Sequence, residues 1–229
     1  KVKGEINMNG KYDKCLNKWN NIFSREVPKT PIKSSSGNNA LDKGIEWICN
    51  GTTNILDFGC GNGTMLFLCA INGTKYNVGI DLSEKGIESA LIRAKQMIKG
   101  EFHFVQGSID ALKNIDNSSF DAVILFNIID NLYPDDAEAL VKEVERILKD
   151  NGKVLVKLNP YVTTEQIVEW DIKVIKDNLL DDGLILLNNS ADEWKNFFER
   201  KFIINQYEEI YYPEYNQTNR MFRLIKRSY

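Results

Sequence analysis

Three glycines, Gly59, Gly61 and Gly63, alternate directly behind the run Asn54-Ile55-Leu56-Asp57-Phe58, and an apolar helical pattern begins at Thr64. That order calls for a buried strand, a tight loop whose backbone can approach a ligand closely, and a helix whose N-terminus faces the ligand. It is the arrangement of a nucleotide-type cofactor site on a parallel α/β sheet.

The rest of the chain keeps the rhythm of such a sheet. Strands are expected over 55–58, 76–81, 102–106, 120–126 and 153–158, with helices between them. Ser83 caps a helix whose apolar face carries Ile87, Ala90, Leu91, Ala94 and Ile98 and which stops at Gly100. A later helix carries Ala137, Leu140, Val141, Val144, Ile147 and Leu148 and is closed by Asn151-Gly152. Alternation of this kind demands right-handed crossovers and a parallel sheet with helices on both faces.

Residues 1–50 read as an N-terminal helical cap. Tyr12, Cys15, Leu16, Trp19, Ile22 and Phe23 recur at helical spacing until Pro28 and Pro31, and a second helix with Leu41, Ile45, Ile48 and Cys49 ends at Gly51. Residues 159–190 read as a helical and hairpin insertion. There Thr163 and Gln166 form a capping box for a helix bearing Ile167, Val168, Ile172 and Ile175, and Asp181-Asp182-Gly183 is a turn. Ser190 and Glu193 cap a further helix with Trp194, Phe197 and Phe198, and strands over 202–211 and 219–225 follow. No repeat or linker divides the chain, so residues 1–229 are expected to form a single domain.

The glycine spacing selects the cofactor. A dinucleotide fingerprint is G-x-G-x-x-G, whereas here the third glycine comes one residue early and an acid, Asp57, stands two residues before the first. Asp57-Phe58-Gly59-Cys60-Gly61-Asn62-Gly63 resembles motif I of the class I S-adenosylmethionine-dependent methyltransferases. The resemblance covers residue 55 to about 158 and extends loosely over the chain. It implies a Rossmann-like, doubly wound, mostly parallel sheet of seven strands with the last inserted antiparallel, and S-adenosylmethionine as cofactor.

Other motifs support it. Asp81 ends the second strand, where a carboxylate can accept from both ribose hydroxyls; a helix N-terminal acid favoured by the macrodipole is the alternative. By resemblance, Ser108-Ile109-Asp110 after the third strand is the adenine edge, with Asp110 accepting from the exocyclic amine; a plain loop acid is the alternative. Asp57, Gly59, Cys60, Gly61, Leu82, Phe126 and Asn127 complete the cofactor set on the same ground. Cys60 reads either as a small pocket-lining side chain or as a reactive thiol.

Phe120 to Leu132 resembles the family's fourth strand and the loop behind it. Asp130 and Asn131 stand where many members place a histidine or another polar substrate contact, so no catalytic residue is named. His103, on the third strand, reads as structural. Tyr12 and Trp19 either form a lid over the sulfonium, whose charge suits aromatic faces, or pack on the sheet. Tyr212, with Tyr211 and Tyr215 around Pro213, either shapes the acceptor pocket or belongs to a group of surface aromatics without a role. Asn159-Pro160-Tyr161 resembles the N-P-P-Y motif of base amino-methyltransferases, but it follows the fifth strand and reads as strand termination.

Composition narrows the partners. A net charge of −3 gives no general attraction to nucleic acid, and the cluster Arg220, Arg223, Lys226 and Arg227 reads as a solvated edge strand and tail. The four cysteines form no C-x-x-C pair and there is one histidine, so no metal site is expected. No apolar run reaches the about 20 residues of a membrane span. Lys1-Val2-Lys3-Gly4-Glu5 lacks the apolar core of a secretory signal, so a cytoplasmic setting follows. The expected activity is methyl transfer to a small-molecule acceptor at nitrogen or oxygen, by in-line displacement and without nucleic acid or membrane. An S-adenosylmethionine-binding protein without turnover and a nicotinamide oxidoreductase are the alternatives.

Overall fold

A central sheet built from residues far apart in sequence organises the protein. The computed structural model describes residues 10–25 and 28–228, so the opening segment 1–5 lies outside the described residues. Helices α1 (Asp13–Arg25) and α2 (Asn39–Cys49) precede the sheet. Then come β1 (Asn54–Phe58), α3 (Thr64–Ile71), β2 (Tyr76–Asp81), α4 (Glu84–Ala94), β3 (Glu101–Gln106), the short α5 (Ile109–Leu112), β4 (Phe120–Phe126), α6 (Pro134–Ile147) and β5 (Leu148–Leu158). An excursion of α7 (Thr164–Glu169), β6 (Lys173–Lys176), β7 (Leu179–Asp181) and β8 (Ile185–Leu187) follows. The chain finishes with α8 (Ala191–Glu199), β9 (Phe202–Tyr212) and β10 (Gln217–Lys226).

The main sheet is seven-stranded, in the order β3-β2-β1-β4-β5-β10-β9. The first five of these are parallel, and β10 runs antiparallel to both its neighbours. This is the doubly wound, Rossmann-like topology expected. The strand order reverses at β1, which pairs β2 on one side and β4 on the other. Crevices at the carboxyl ends of strands flanking such a switch are where open α/β sheets take their ligands. Apolar clusters cover both faces: Leu56, Val123, Val156 and Leu140 on one, and Ile55, Ile124, Leu155 and Ile45 on the other. Alternate residues of one strand thus serve opposite cores.

Several local expectations change. Helix α4 ends at Ala94, and Leu91 and Ile98 are exposed, Ile98 completely. The chain tightens into short-range bonds there, Gln96 N–H to the Arg93 carbonyl and Met97 N–H to that of Ala94, and the buried stripe is Ile87, Ala90 and Arg93. The helix expected to run through Ile175 stops at Glu169, because Asp171 adopts a left-handed φ of 50°. Ile172 instead packs with Val162, Leu180 and Leu186 under the three-stranded β6-β7-β8 sheet, and Ile175 lies exposed on β6. Both capping boxes form, at Thr163/Gln166 and at Ser190/Glu193, and Gly183 makes the hairpin turn at φ 75°. Asn151-Gly152 does not close α6: Asn151, with φ 57°, sits inside β5 where the pairing with β4 slips. The basic cluster is not a solvated edge. Strand β10 is flanked on both sides, and Arg220 and Arg223 are buried at 4% and 8% exposure.

Candidate functional site

A cavity of about 710 Å³ opens at the carboxyl ends of β1, β2 and β4, beneath α1. The size suits a cofactor together with a small ligand. Its floor is the glycine loop. Gly59, Gly61 and Gly63 all have left-handed φ, at 80°, 50° and 78°, a conformation that costs side-chain-bearing residues energy. Gly59 and Cys60 donate their N–H groups to the Ile80 carbonyl at 2.8 and 3.1 Å, which ties the loop to β2.

Asp81 is the polar centre of this floor. Its Oδ2 accepts from Gly61 N–H at 2.7 Å and its Oδ1 from Ser83 N–H at 2.7 Å. Burial pushes its carboxyl above the ordinary range, against these two hydrogen bonds. Each oxygen keeps a second lone pair for a hydroxyl. Behind it, Asp57 is 2% exposed and its Oδ1 takes no hydrogen bond from the described residues. Burial, with the charge of Asp81 second, pushes Asp57 up to about 8.

Cys60 lines the cavity with its thiol buried, and desolvation with the nearby carboxylates of Asp81 and Asp57 holds it well above its ordinary value. That direction disfavours the thiolate, the form in which a cysteine acts as a nucleophile. Leu82, Ser108, Ile109 and Asp110 form the next wall. Ser108 Oγ accepts from Asp110 N–H at 3.3 Å, and Asp110 pairs with Lys113 at 2.6 Å near the surface. Phe126 and Asn127, leaving β4, close the opposite side.

Of the residues expected to meet a substrate, Tyr12, Trp19 and Asn131 line the cavity, and Asp130 and Tyr212 do not. Asp130 is fully buried and turned toward β5: its Oδ2 accepts from the N–H of Asn159 at 2.6 Å and from its Nδ2 at 3.0 Å. Tyr212 stands beside Lys157, whose Nζ is 5.7 Å from the Tyr212 ring and 5.7 Å from that of Phe126. Tyr211 and Tyr215 are exposed rather than in the cavity. Asp57 likewise lies under the floor and not on it.

Tyr12, just before α1, and the residues of α1 meet the cavity in different ways. Leu16, Trp19 and Phe23 roof the cavity, while Tyr12 is buried, donating from Oη to Asp136 Oδ2 at 2.5 Å and accepting from Tyr133 N–H at 3.1 Å. Sequence reasoning missed Phe23 as a site residue: a β-carbon built on Gly61 would stand 2.8 Å from its Cζ. It also missed Arg93, the buried cation on α4 that grips Asn62 of the glycine loop. Its signal was a charge three residues after Ala90 on an otherwise apolar stripe.

Sheet topology, crevice and carboxylate define a nucleoside-cofactor α/β protein. Residues 50–201 match the family described as the methyltransferase domain. The chain belongs to that family, the class I S-adenosylmethionine-dependent methyltransferases. It is similar to a demethylmenaquinone methyltransferase of Leptospira interrogans, 32% identical over 147 residues, covering 63% of this chain and 54% of the relative. It is similar also to a tRNA N(3)-methylcytidine methyltransferase of Schizosaccharomyces pombe, 25% identical over 167 residues, covering 68% and 53%. The chain therefore spans about half the length of these curated relatives. Among solved structures, a Burkholderia thailandensis 1,6-didemethyltoxoflavin-N1-methyltransferase with S-adenosylhomocysteine superposes with a TM-score of 0.71 at 12% identity, covering 99% of this chain and 94% of that one.

The family's cofactor is S-adenosylmethionine, and the residues present fit it. A carboxylate with spare lone pairs, a loop whose alternate glycines bring main chain to the cavity and an apolar wall of Leu82 and Ile109 meet in one cavity. The nicotinamide alternative falls with the family assignment. Among the described residues no helix is long and apolar enough to cross a membrane.

Proposed function

We propose that this chain transfers a methyl group from S-adenosylmethionine to a small-molecule acceptor, at nitrogen or oxygen, by in-line displacement. The observation that carries the reading is one cavity lined by Asp81, the glycine loop and the Ser108–Asp110 wall and also by Asn127, Asn131, Tyr12 and Trp19.

In this reading the Asp81 oxygens accept from the ribose hydroxyls, the turned main chain at Gly59 and Gly61 receives the amino-acid end, and Asp110 with the Ser108 and Ile109 backbone takes the adenine edge. Phe126, Asn127 and Leu82 complete the wall. Bound there, the cofactor supplies an electrophilic methyl group on a sulfonium with a neutral leaving group. The protein's own part is alignment and exclusion of water. Helix α1 roofs the crevice, and Tyr12, its hydroxyl held by Asp136 and driven far above the ordinary range mainly by burial, serves as a rigid wall and not as a base.

A small acceptor is favoured over a polynucleotide because Arg220 and Arg223, half of the basic cluster in the last strand and tail, are buried. The demethylmenaquinone enzyme named above agrees with a small acceptor, and the tRNA enzyme makes tRNA the control. The test is incubation of the purified protein with S-adenosylmethionine and separate panels of amines, phenols, quinols and tRNA, reading S-adenosylhomocysteine release. Release that depends on a small amine or hydroxyl compound is expected. Release with tRNA alone overturns the acceptor class. Binding of S-adenosylhomocysteine with no release in any panel supports a binding protein without turnover.

A further inference from the structure

The leftover motif Asn159-Pro160-Tyr161 sits at the end of β5, beside the loop that follows β4. Asn159 is a hydrogen-bonding hub there. Its main-chain N–H and its Nδ2 both donate to Asp130 Oδ2, at 2.6 and 3.0 Å, and Arg220 Nε donates to its carbonyl at 3.1 Å. On the cavity side, its Oδ1 accepts from Asn127 Nδ2 at 2.8 Å and its Nδ2 donates to Asn131 Oδ1 at 3.1 Å.

The polarity of this chain of amides follows from chemistry. The structure turns the amide nitrogen of Asn159 toward Asp130 Oδ2, which suits a carboxylate oxygen that also receives a main-chain N–H. The oxygen of that amide then faces Asn127, which must answer with its own nitrogen. Asn127 is left with Oδ1, an atom that takes no hydrogen bond from the described residues, on a side chain that lines the cavity. Asn127 is held rigidly for this: its φ is 52°, and its N–H donates to the Lys157 carbonyl at 2.7 Å. The Asn131 amide is fixed the same way, with its Nδ2 spent on the Ile185 carbonyl at 2.6 Å.

We infer that Asn159, oriented by Asp130, is a positioning residue that makes Asn127 present a hydrogen-bond acceptor at the end of β4, so that the methyl acceptor is a compound whose nucleophile still carries a proton, an amine or a hydroxyl. The inference rests on the methyl-transfer reading and specifies its substrate. A nucleophile that donates to Asn127 Oδ1 is aligned by that bond, while the same compound already capped by methyl groups leaves the oxygen without a partner.

The test titrates the S-adenosylhomocysteine-saturated protein with matched probes, aniline against N,N-dimethylaniline and phenol against anisole, following the side-chain amide signals of Asn127 by NMR. At least fivefold tighter binding of the proton-bearing probe of each pair is expected, with the Asn127 amide shifting. Asn127→Ala should abolish the preference, read as the ratio of the two probes' affinities at saturating S-adenosylhomocysteine. Asn159→Ala should reduce the preference, by freeing the Asn127 amide to turn; should that variant not fold, Asn127→Ala decides alone. A protein that holds S-adenosylhomocysteine yet prefers neither proton-bearing probe, whether it binds both members or neither, overturns the inference and leaves the cofactor reading standing. A protein that does not bind S-adenosylhomocysteine overturns both.

Discussion

Arg93 Nη1 donates to the main-chain carbonyl of Asn62 at 2.7 Å, so a helix residue grips the glycine loop from behind. The same nitrogen reaches Asn62 Oδ1 at 2.9 Å and Thr64 Oγ1 at 2.8 Å, and Nη2 reaches the Lys29 carbonyl at 3.0 Å. The guanidinium lies 5.0 Å from the Phe67 ring centre, and burial lowers its pKa to about 10, which keeps it charged at neutral pH. It therefore joins α4, the loop and the segment behind α1. Arg93→Met should lower stability by about 2–4 kcal/mol, since several part-buried acceptors lose a charged donor at once. S-adenosylhomocysteine affinity should fall about tenfold as the loop loosens. Arg93→Lys should restore little, because an ammonium cannot span these acceptors as a planar fork does. Denaturant unfolding and calorimetry measure the two effects, and full rescue by Lys would show that charge alone suffices.

Asp81 holds Gly61 and Ser83 through separate oxygens, so it shapes the loop while remaining open to hydroxyls. Asp81→Ala should weaken S-adenosylhomocysteine binding by about 1–3 kcal/mol, the usual worth of hydrogen bonds to a charged acceptor. Calorimetric affinity equal to that of the unaltered protein would remove Asp81 from the ribose site.

The strands that carry the site were legible in the chain, and the reason is local. β2 and β4 occupy the residues expected because apolar runs bounded by turn signals define strands without reference to anything distant. The wall of the cavity was legible for the same reason, since Gly59, Asp81 and Asn127 each sit at a strand's end. What escaped depends on partners far away in sequence. Arg220 looked like surface because nothing nearby shows that β10 lies between β5 and β9, or that Asn159, 61 positions earlier, would offer its carbonyl. Asp130 looked like a substrate contact, but its direction is set by Asn159, 29 positions later. Tyr212 was placed by loop topology alone, and the cation that holds it, Lys157, belongs to another strand.

Gly61 has a reason beyond ligand space. Its φ of 50° and the Phe23 ring, 2.8 Å from where a β-carbon would be, both exclude a side chain. Gly61→Ala should cost about 1–2 kcal/mol from the left-handed backbone alone. It should also push Phe23 from its seat, so that the amides of α1 exchange faster with solvent and S-adenosylhomocysteine binds at least tenfold more weakly. Hydrogen exchange reads the first effect and calorimetry the second. Unchanged exchange along α1 would mean that Phe23 does not rest on the loop.

Asp57 makes stability depend on pH in a definite direction. Its carboxyl titrates near 3.9 in an unfolded chain and is pushed up to about 8 by burial in the fold. The folded state therefore binds this proton more tightly. The contribution is fully present below the unfolded value and is lost as pH rises through the folded one, with a slope of at most about 1.4 kcal/mol per pH unit. Stability should fall between about pH 4 and pH 8 on this account. Asp57→Asn, a neutral side chain of the same shape, should flatten that slope, so its urea midpoint should exceed that of the unaltered protein more at pH 8 than at pH 5. Parallel midpoints across that range would show that Asp57 ionises in the fold as it does in water.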